Sequence, residues 1–278
     1  MKRIFTFGCS FTSWVWPTWA DILINDYKNK GLKGYNFGKC GAGNQYIFIK
    51  LMEAIKKFKI NENDMVIICW TSLYREDRYV NKNWITPGNI YTQNIYNDDF
   101  VNSWADPVHY SLRDCAIISA TNTILKNIGC KYIKISMSDL VQIDSADPNM
   151  ILDDVVNTTI FYGDSINMDT ISIMNYLKLK VRTDDVIESR PKTYWDHDKI
   201  KKIQPEWHPT PAEHYDYLTN NILPLLKTEL SPNTIRFINV WIEKFDKMKQ
   251  PINLDKTGWE LNHKELLFDP NRPIKRLV

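Results

Sequence analysis

The residues from Asp64 to Trp70 form a continuous apolar run, DMVIICW, which ends at Thr71 and Ser72. A run without alternating polar residues is typical of a strand that is buried on both faces of a parallel sheet. Helices then cover both faces of such a sheet, because crossover connections join parallel strands. The run therefore predicts an α/β protein.

The sequence around this run alternates predicted strands with predicted helices. Further strands are predicted from Arg3 onwards and at residues 35–38 and 130–137. Helices are predicted in five segments, at residues 17–30, 45–59, 111–128, 210–226 and 233–249. The helix at 210–226 is predicted from the capping box of Thr210 and Glu213, and the others from apolar residues at helical spacing. This order predicts a three-layer α/β/α, flavodoxin-like parallel sheet.

The 278 residues are enough to bury a full core in one domain. Residues 1–230 are predicted to form that domain. Two stretches without a long period, at about 73–110 and 138–204, are interpreted as insertions. Residues 231–278 are predicted to add a C-terminal helix and an extended tail.

The charges and the apolar runs argue against several classes of partner. The 35 Lys and Arg residues nearly balance the 33 Asp and Glu residues, so charge gives no reason to expect nucleic acid or an anionic membrane. No apolar run approaches the roughly 20 residues that cross a bilayer. Because Met1-Lys2-Arg3 leads straight into a strand, we expect no signal segment and a chain that is cytoplasmic when made.

The five cysteines are widely spaced, odd in number and without a Cys-x-x-Cys pair. This pattern predicts reduced, buried thiols rather than disulfides or a zinc site. The spaced aspartates of residues 138–204 could bind calcium, but no Asp-x-Asp-x-Asp-Gly loop occurs there. No metal site is predicted.

Polar and glycine-rich loops follow the predicted strands. They offer Ser10, the turn at 38–44, Thr71-Ser72 and, later in the chain, the segment 206–209. The carboxyl ends of parallel strands meet at one edge of the sheet, where ligands bind in α/β proteins. A serine nucleophile needs a base and a group that holds the base, and His208 and Glu206 are of the right types. Glycines allow backbone N–H groups to approach an oxyanion.

These loops resemble the sequence blocks of the SGNH (GDSL-type) hydrolases. Four segments carry the resemblance in the family's order, Gly8-Cys9-Ser10-Phe11, Asn36-Phe37-Gly38-Lys39-Cys40-Gly41, Trp70-Thr71-Ser72 and Glu206-Trp207-His208-Pro209. Together they span residues 4 to about 226. The resemblance implies a serine ester hydrolase that works through an acyl-enzyme and needs no metal or organic cofactor.

The resemblance also assigns roles to individual residues. Ser10 would be the nucleophile, His208 the base, and Glu206 the acid that orients it. The backbone N–H groups of Ser10 and Gly41 would hold the oxyanion. Either Ser72 or Asn44 would supply the third donor.

Three positions depart from the family's usual pattern. Cys9 replaces an Asp, and Ser72 stands where an Asn side chain normally donates to the oxyanion. The acid is usually an Asp three residues before the histidine, whereas here Glu206 lies two residues before His208. A serine hydroxyl is shorter than an asparagine amide, so this donor is expected to be weakened.

The resemblance and the aromatic content suggest acyl or O-acetyl esters, including those on carbohydrate, as substrates. The alternative is a catalytically weak or inactive binding or structural protein. SGNH-like proteins of tailed bacteriophages are similar, which allows a virion-associated role. The tail residues Trp259, Leu266, Leu267 and Phe268 could dock on a neighbouring subunit or a protein partner.

Several residues near the predicted site also have simpler structural interpretations. His214 is expected at the surface of its helix. Arg75, Glu76, Asp77 and Arg78 could bind substrate, although a solvated salt-bridge cluster is the commoner outcome. Trp14, Trp16 and Trp70 could stack on a sugar or be buried in the core. Cys9 is expected to pack in the core.

Overall fold

The computed structural model describes residues 2–91, 96–140, 157–158, 160–179, 183–197, 200–248 and 252–254. In these residues the strands are β1 (Arg3–Phe7), β2 (Lys33–Asn36), β3 (Asp64–Trp70), β4 (Arg78–Val80), β5 (Asn83–Ile85), β6 (Lys131–Ser136), β7 (Lys192–His197), β8 (Ile200–Pro205) and β9 (Ile252–Leu254). The α-helices are α1 (Trp19–Asn29), α2 (Asn44–Phe58), α3 (Asp98–Trp104), α4 (Pro107–Ile128), α5 (Ile173–Tyr176), α6 (Asp184–Ser189), α7 (Pro211–Tyr217), α8 (Leu223–Leu226) and α9 (Pro232–Asp246). A π-helical turn, Leu218–Ile222, joins α7 to α8.

The central sheet is parallel and four-stranded, in the order β2-β1-β3-β6. Strand β3 has the predicted bounds, and all seven of its residues are buried. Its neighbours β1 and β6 pair with it along most of its length. A continuous apolar run thus forms an inner strand, as the sequence predicted.

Helices cover the two faces of this sheet. Helix α1 packs with α7 and α9, while α2 packs with α4. Right-handed crossovers place α1 on one face of the sheet and α2 and α4 on the other. The reason is that the connection from β1 to β2 runs toward one edge of the sheet, whereas those from β2 to β3 and from β3 to β6 run toward the opposite edge. The three-layer α/β/α prediction is confirmed.

The first insertion contains more regular structure than its sequence suggested. Strands β4 and β5 form an antiparallel hairpin, and α3 follows. Helix α4 begins at Pro107, not at residue 111 as predicted. Asp106 caps this helix by accepting from the His109 N–H, and Pro107 occupies the first turn. The Asp-Pro pair is a helix start signal. The apolar periodicity begins only later in the helix, so the predicted start was too late.

The sequence predicted an irregular second insertion, but part of it forms strands. Strands β7 and β8 pair antiparallel, and β9 adds to β7 in parallel, with Thr193 opposite Ile252. Lysines in β8 break the apolar alternation that would have marked a strand. Strand β9 comes from the segment that was expected to be an extended tail. The rest of that tail, residues 255–278, lies outside the described residues. Four of the spaced aspartates also lie outside them, namely Asp144, Asp147, Asp153 and Asp154.

The C-terminal helix α9 is attached to α1 by polar and aromatic contacts. Asp26 Oδ1 accepts from the Ser231 N–H at 2.7 Å, and Ser231 caps α9. At the other end of α9, Phe245 packs edge-on against Trp16, with ring centroids 5.1 Å apart. The helix is therefore part of the α1 layer of the fold.

Two further features concern the chain as a whole. The five cysteines are unpaired, and four of them are buried, as expected; Cys40 is partly buried. Among the described residues, none of the helices combines the length and the apolar character that a membrane span needs.

Candidate active site

The loops after β1 and β2 are hydrogen-bonded to each other. The Lys39 N–H donates to the Gly8 carbonyl at 3.0 Å, and Asn36 Nδ2 donates to the Thr12 carbonyl at 2.7 Å. The loop after β3 joins them through Asn44, whose amide exchanges hydrogen bonds with the Thr71 backbone. Three of the four predicted blocks thus meet at the carboxyl edge of the sheet.

Ser10 lies in a tight turn directly after β1. The Thr12 and Ser13 N–H groups donate to the Cys9 carbonyl at 3.0 and 3.2 Å, which folds the turn around Ser10. Within the described residues, neither Ser10 Oγ nor the N–H groups of Ser10 and Gly41 have a hydrogen-bond partner. One hydroxyl and two backbone donors are therefore left for a ligand.

Gly41 has a conformation and a neighbour that exclude a side chain. Its φ angle is +68°, and a Cβ added there would lie 2.0 Å from the Thr86 carbonyl oxygen. Thr86 belongs to the first insertion and holds this loop by donating from Oγ1 to the Cys40 carbonyl at 2.8 Å. The insertion therefore fixes the loop that carries the Gly41 N–H.

Glu206 and His208 form a hydrogen-bonded pair in which the Glu206 side chain is buried. Glu206 Oε1 accepts from the His208 backbone N–H at 2.9 Å and lies 2.5 Å from His208 Nδ1. Because a carboxylate only accepts hydrogen bonds, Nδ1 carries the proton and Nε2 is left as the basic nitrogen. The two-residue spacing lets one carboxylate oxygen hold both the backbone and the ring of the histidine.

Aromatic residues from the Ser10 turn pack against the His208 ring. The indole of Trp14 stacks on the imidazole with centroids 3.6 Å apart and planes 14° apart. The ring of Phe11, the residue after Ser10, lies 5.6 Å from the same imidazole. No hydrogen bond between Ser10 Oγ and His208 is present in the described residues, although the fold brings His208 to the turn that carries Ser10.

Arg190 holds the segment that carries Glu206 and His208. Its Nε donates to the Glu206 carbonyl at 3.0 Å, and its Nη2 donates to the His208 carbonyl at 2.8 Å. Nη1 forms an ion pair with Glu213, which in turn closes the capping box of α7 with Thr210. Sequence reasoning missed Arg190 because it lies in the second insertion, where no motif marks it.

Asn44 is unable to act as the third oxyanion donor. Its Nδ2 donates to the Thr71 carbonyl at 3.1 Å and to Asp114 Oδ2 at 2.9 Å, so both amide hydrogens are used. Burial raises the pKa of Asp114 to about 6. The Asn44 side chain fastens the end of β3 to α2 and α4, which leaves Ser72 as the candidate.

Ser72 is buried, and its Oγ accepts from Arg75 Nε at 3.3 Å. A hydroxyl that accepts through one lone pair keeps its own hydrogen for another acceptor. Ser72 therefore has a hydrogen to donate, as the oxyanion prediction requires.

The charged residues after Ser72 are mainly buried, not a solvated cluster as expected. Asp77 accepts from the N–H groups of Gly43 and Tyr46 at the start of α2, and burial raises its pKa. Glu76 forms ion pairs with Arg78 at 2.6 Å and with Arg113 at 3.3 Å. The cluster fixes the insertion against α2, because unpaired helix N–H groups attract a carboxylate.

Comparison with known proteins gives weak similarities. The sequence matches no protein-family profile and no curated protein. Among solved structures, the chain is similar to an acetylxylan esterase from Geobacillus stearothermophilus at 14% identity, with 82% of this chain and 95% of that chain covered and a TM-score of 0.45. It is also similar to the esterase EstA from Pseudoalteromonas sp. at 10% identity, with coverages of 82% and 100% and a TM-score of 0.44.

A third similar structure is a GDSL-like lipase from Bacteroides thetaiotaomicron, at 14% identity, with 81% of this chain and 88% of that chain covered and a TM-score of 0.38. With every one of these TM-scores below 0.5, the function has to be argued from the chain's own residues.

His214 is buried, contrary to the expectation that it lies at the surface. Neither ring nitrogen has a hydrogen-bond partner in the described residues. Burial, with a smaller contribution from nearby His208, lowers the pKa of His214 to about 3. His214 is therefore a neutral core residue. It was missed because the capping box that predicts this helix does not show how closely α1 and α9 cover α7.

The tryptophans near the site, and Cys9, are packed in the core. Trp14, Trp16 and Trp70 are all buried, so none of them offers a face to a sugar. Cys9 is also fully buried, with its Sγ 3.6 Å from Met137 Sδ, as the core-packing interpretation predicted. Burial raises the pKa of the Cys40 thiol to about 12, so it stays protonated at neutral pH.

A groove runs along the first insertion. Two adjoining cavities, of about 880 and 630 Å³, share Gln45, Glu76 and Arg78. Aromatic side chains line them, namely Tyr79, Trp84, Phe100, Trp104 and Tyr110. Trp104 is 74% exposed. Tyr79 is also exposed, whereas Tyr110 is buried.

Proposed function

We propose that the protein is a serine ester hydrolase that acts through an acyl-enzyme. The observation that carries the proposal is the Glu206–His208 pair, held against Trp14 and Phe11 in the turn of Ser10. A carboxylate, an imidazole with one free nitrogen and a hydroxyl without a partner are the parts of a serine triad. The unpartnered N–H groups of Ser10 and Gly41 add the donors that such chemistry needs.

In the proposed reaction, Ser10 Oγ attacks the ester carbonyl while His208 Nε2 takes the hydroxyl proton. Glu206 holds the Nδ1 proton and stabilises the imidazolium that forms. The oxyanion accepts hydrogen bonds from the N–H groups of Ser10 and Gly41 and from the Ser72 hydroxyl. His208 then protonates the leaving alcohol, and a water molecule, deprotonated by His208, cleaves the acyl-enzyme and releases Ser10.

The substrates we propose are simple acyl esters and O-acetyl groups on carbohydrate. Two exposed aromatic side chains of the groove, Tyr79 and Trp104, support a carbohydrate substrate because they offer faces on which a sugar could stack, although neither Ser10 nor His208 lines the groove. One of the similar structures is that of an acetylxylan esterase. A binding role without turnover, and a virion-associated role like that of phage-encoded proteins, remain the competing proposals.

Labelling with a fluorophosphonate probe tests the nucleophile. We expect wild-type protein to be labelled and Ser10→Ala not to be. Ser13→Ala changes a serine of the same turn and serves as the matched control, with labelling retained. If folded wild-type protein is not labelled, or if Ser10→Ala is labelled equally, the proposed nucleophile is wrong and a binding role is favoured.

Hydrolysis assays then identify the substrate class. Wild-type protein is expected to release acetate from p-nitrophenyl acetate and from acetylated oligosaccharides, and Ser10→Ala to release none. Release from the small ester alone would support ester hydrolysis and contradict the carbohydrate substrate.

A further inference from the structure

Arg75 is a buried cation without a carboxylate partner. Arg75 is only 9% exposed. Among the described residues, no carboxylate lies within ion-pair distance of its guanidinium, whereas the neighbouring Glu76 has two ion pairs. Asp77 is close enough for Arg75 to offset part of the rise that burial causes in the pKa of the Asp77 carboxyl. None of the direct partners of the guanidinium is an anion, so Arg75 can also respond to negative charge that develops beside it.

The guanidinium directly contacts two of the three loops that carry the proposed oxyanion donors and reaches the third through Met137. Nε donates to Ser72 Oγ at 3.3 Å, after β3. Nη1 donates to the carbonyl of Ala42 at 3.0 Å, next to Gly41 and after β2. Nη2 lies 3.3 Å from Met137 Sδ, after β6, and the same sulfur contacts Cys9 beside Ser10.

The contact with Ser72 determines what the serine hydroxyl can do. Since Nε–H can only donate, Ser72 Oγ must accept, and its own hydrogen is directed elsewhere. The adjacent positive charge strengthens the hydroxyl as a donor and favours negative charge beyond it. At 3.3 Å the bond is long, which suits a contact that tightens only when negative charge develops.

We propose that Arg75 is a positioning residue that turns the Ser72 hydroxyl toward the oxyanion and stabilises that negative charge through it. Arg75 thereby offsets the shorter reach of a serine at the position where the resemblance expects asparagine. This role rests on the proposed ester hydrolysis, because it requires an oxyanion.

A double-mutant cycle with Ser72→Ala and Arg75→Met tests this role, with kcat and KM measured separately on p-nitrophenyl acetate. We expect each single variant to lose about 100-fold in kcat, the loss typical of one oxyanion donor, with KM changed by less than about 3-fold. The double variant is expected to be no slower than either single variant, because Arg75 acts through Ser72. Losses that multiply would overturn the proposal.

Arg75→Lys and Arg236→Met complete the experiment. Lysine keeps the charge but not the Nε geometry, so we expect a loss of about 10-fold; if Arg75→Met does not fold, Arg75→Lys replaces it in the cycle. Arg236 is exposed on α9 and lines neither cavity of the groove, so Arg236→Met should keep wild-type kcat. A folded Arg75 variant with wild-type kcat would contradict the role of Arg75.

The two proposals fail in different ways. If wild-type protein hydrolyses esters and Ser72→Ala and Arg75→Met act independently, only the role of Arg75 is wrong. If wild-type protein neither reacts with fluorophosphonate nor hydrolyses esters, the proposed function is wrong and the role of Arg75 falls with it.

Discussion

The indole of Trp14 stacks face to face on the imidazole of His208, with ring centroids 3.6 Å apart and planes 14° apart. Trp14 lies four residues after Ser10, in the turn that follows β1, whereas His208 comes from a loop almost 200 residues later. The stack fixes the imidazole plane, and Glu206 fixes its rotation within that plane through Nδ1. An aromatic face also stabilises an imidazolium, because a ring attracts a cation.

Replacing Trp14 should therefore reduce turnover more than substrate binding. We expect Trp14→Leu to lower kcat on p-nitrophenyl acetate by about 10-fold, which corresponds to the ~1.4 kcal/mol range of a partly buried cation–π contact. Trp14→Phe keeps an aromatic face and should retain most of the activity. Steady-state kinetics on folded variants check this, and equal losses in the two variants would contradict a role for the stack.

Glu206 should be needed for turnover. Glu206→Gln offers an amide to Nδ1 and disturbs the tautomer of His208, so we expect a loss of about 10³-fold to 10⁴-fold in kcat. Glu229→Gln changes an exposed carboxylate elsewhere and should have no effect. A Glu206→Gln variant with near wild-type kcat would show that the spacing of Glu206 and His208 does not form a working pair.

Gly41 should tolerate a methyl group poorly. In Gly41→Ala the new Cβ would lie 2.0 Å from the Thr86 carbonyl oxygen, in addition to the strain of a positive φ. Gly31 has a similar φ of +73° but no atom within 4 Å, so Gly31→Ala measures the strain alone. By urea unfolding we expect Gly41→Ala to cost about 2 kcal/mol more than Gly31→Ala.

The same glycine variants should differ in activity. Because the Thr86 clash moves the Gly41 N–H, Gly41→Ala is expected to lose about 100-fold in kcat. Gly31→Ala should keep wild-type kcat. Equal behaviour of the two variants in both measurements would mean that Thr86 does not constrain the loop.

Buried His214 should make the protein sensitive to acid. Its pKa is lowered to about 3 in the folded protein, while an unfolded histidine titrates near 6.5. Between these values the unfolded state binds the extra proton, so stability is present above about pH 6.5 and is lost as the pH falls toward 3. The slope is about 1.4 kcal/mol per pH unit.

The comparison variant is His214→Leu, which cannot protonate. Urea unfolding at several pH values should show that wild-type protein loses stability relative to His214→Leu as the pH falls below 6.5. His109→Leu, at an exposed histidine, is the matched control and should not reproduce this trend. A difference between wild type and His214→Leu that is constant with pH would contradict the prediction.

Helix α9 should contribute to the stability of the α1 layer. Phe245 packs on Trp16, whose Nε1 donates to the Pro209 carbonyl beside His208. Phe245→Ala is expected to cost about 3–5 kcal/mol. Val240→Ala, on the same helix but at a position that is 47% exposed, should change stability by less than about 0.5 kcal/mol. Similar unfolding midpoints for the two variants would mean that α9 is dispensable.

Local sequence patterns were sufficient for the central sheet and its covering helices. The run at Asp64–Trp70 required burial on both faces, and helical periodicity marked α1, α2 and α9 to within a few residues. The pattern failed for β7 and β8, where charged residues interrupt the alternation. It failed also for His214, because burial depends on which helices cover a position.

The sequence by itself determined the α/β class and supplied the candidate site residues Ser10, Gly41, Ser72, Glu206 and His208. The class follows from periodicity, and the candidates follow from residue chemistry and the family resemblance, which are read from short segments. The tertiary structure alone decided how distant segments meet. It stacks Trp14 on His208, uses both hydrogens of the Asn44 amide, and buries Arg75 against Ala42. Contacts between residues so far apart in the chain arise only when crossover helices bring the strand ends to one edge.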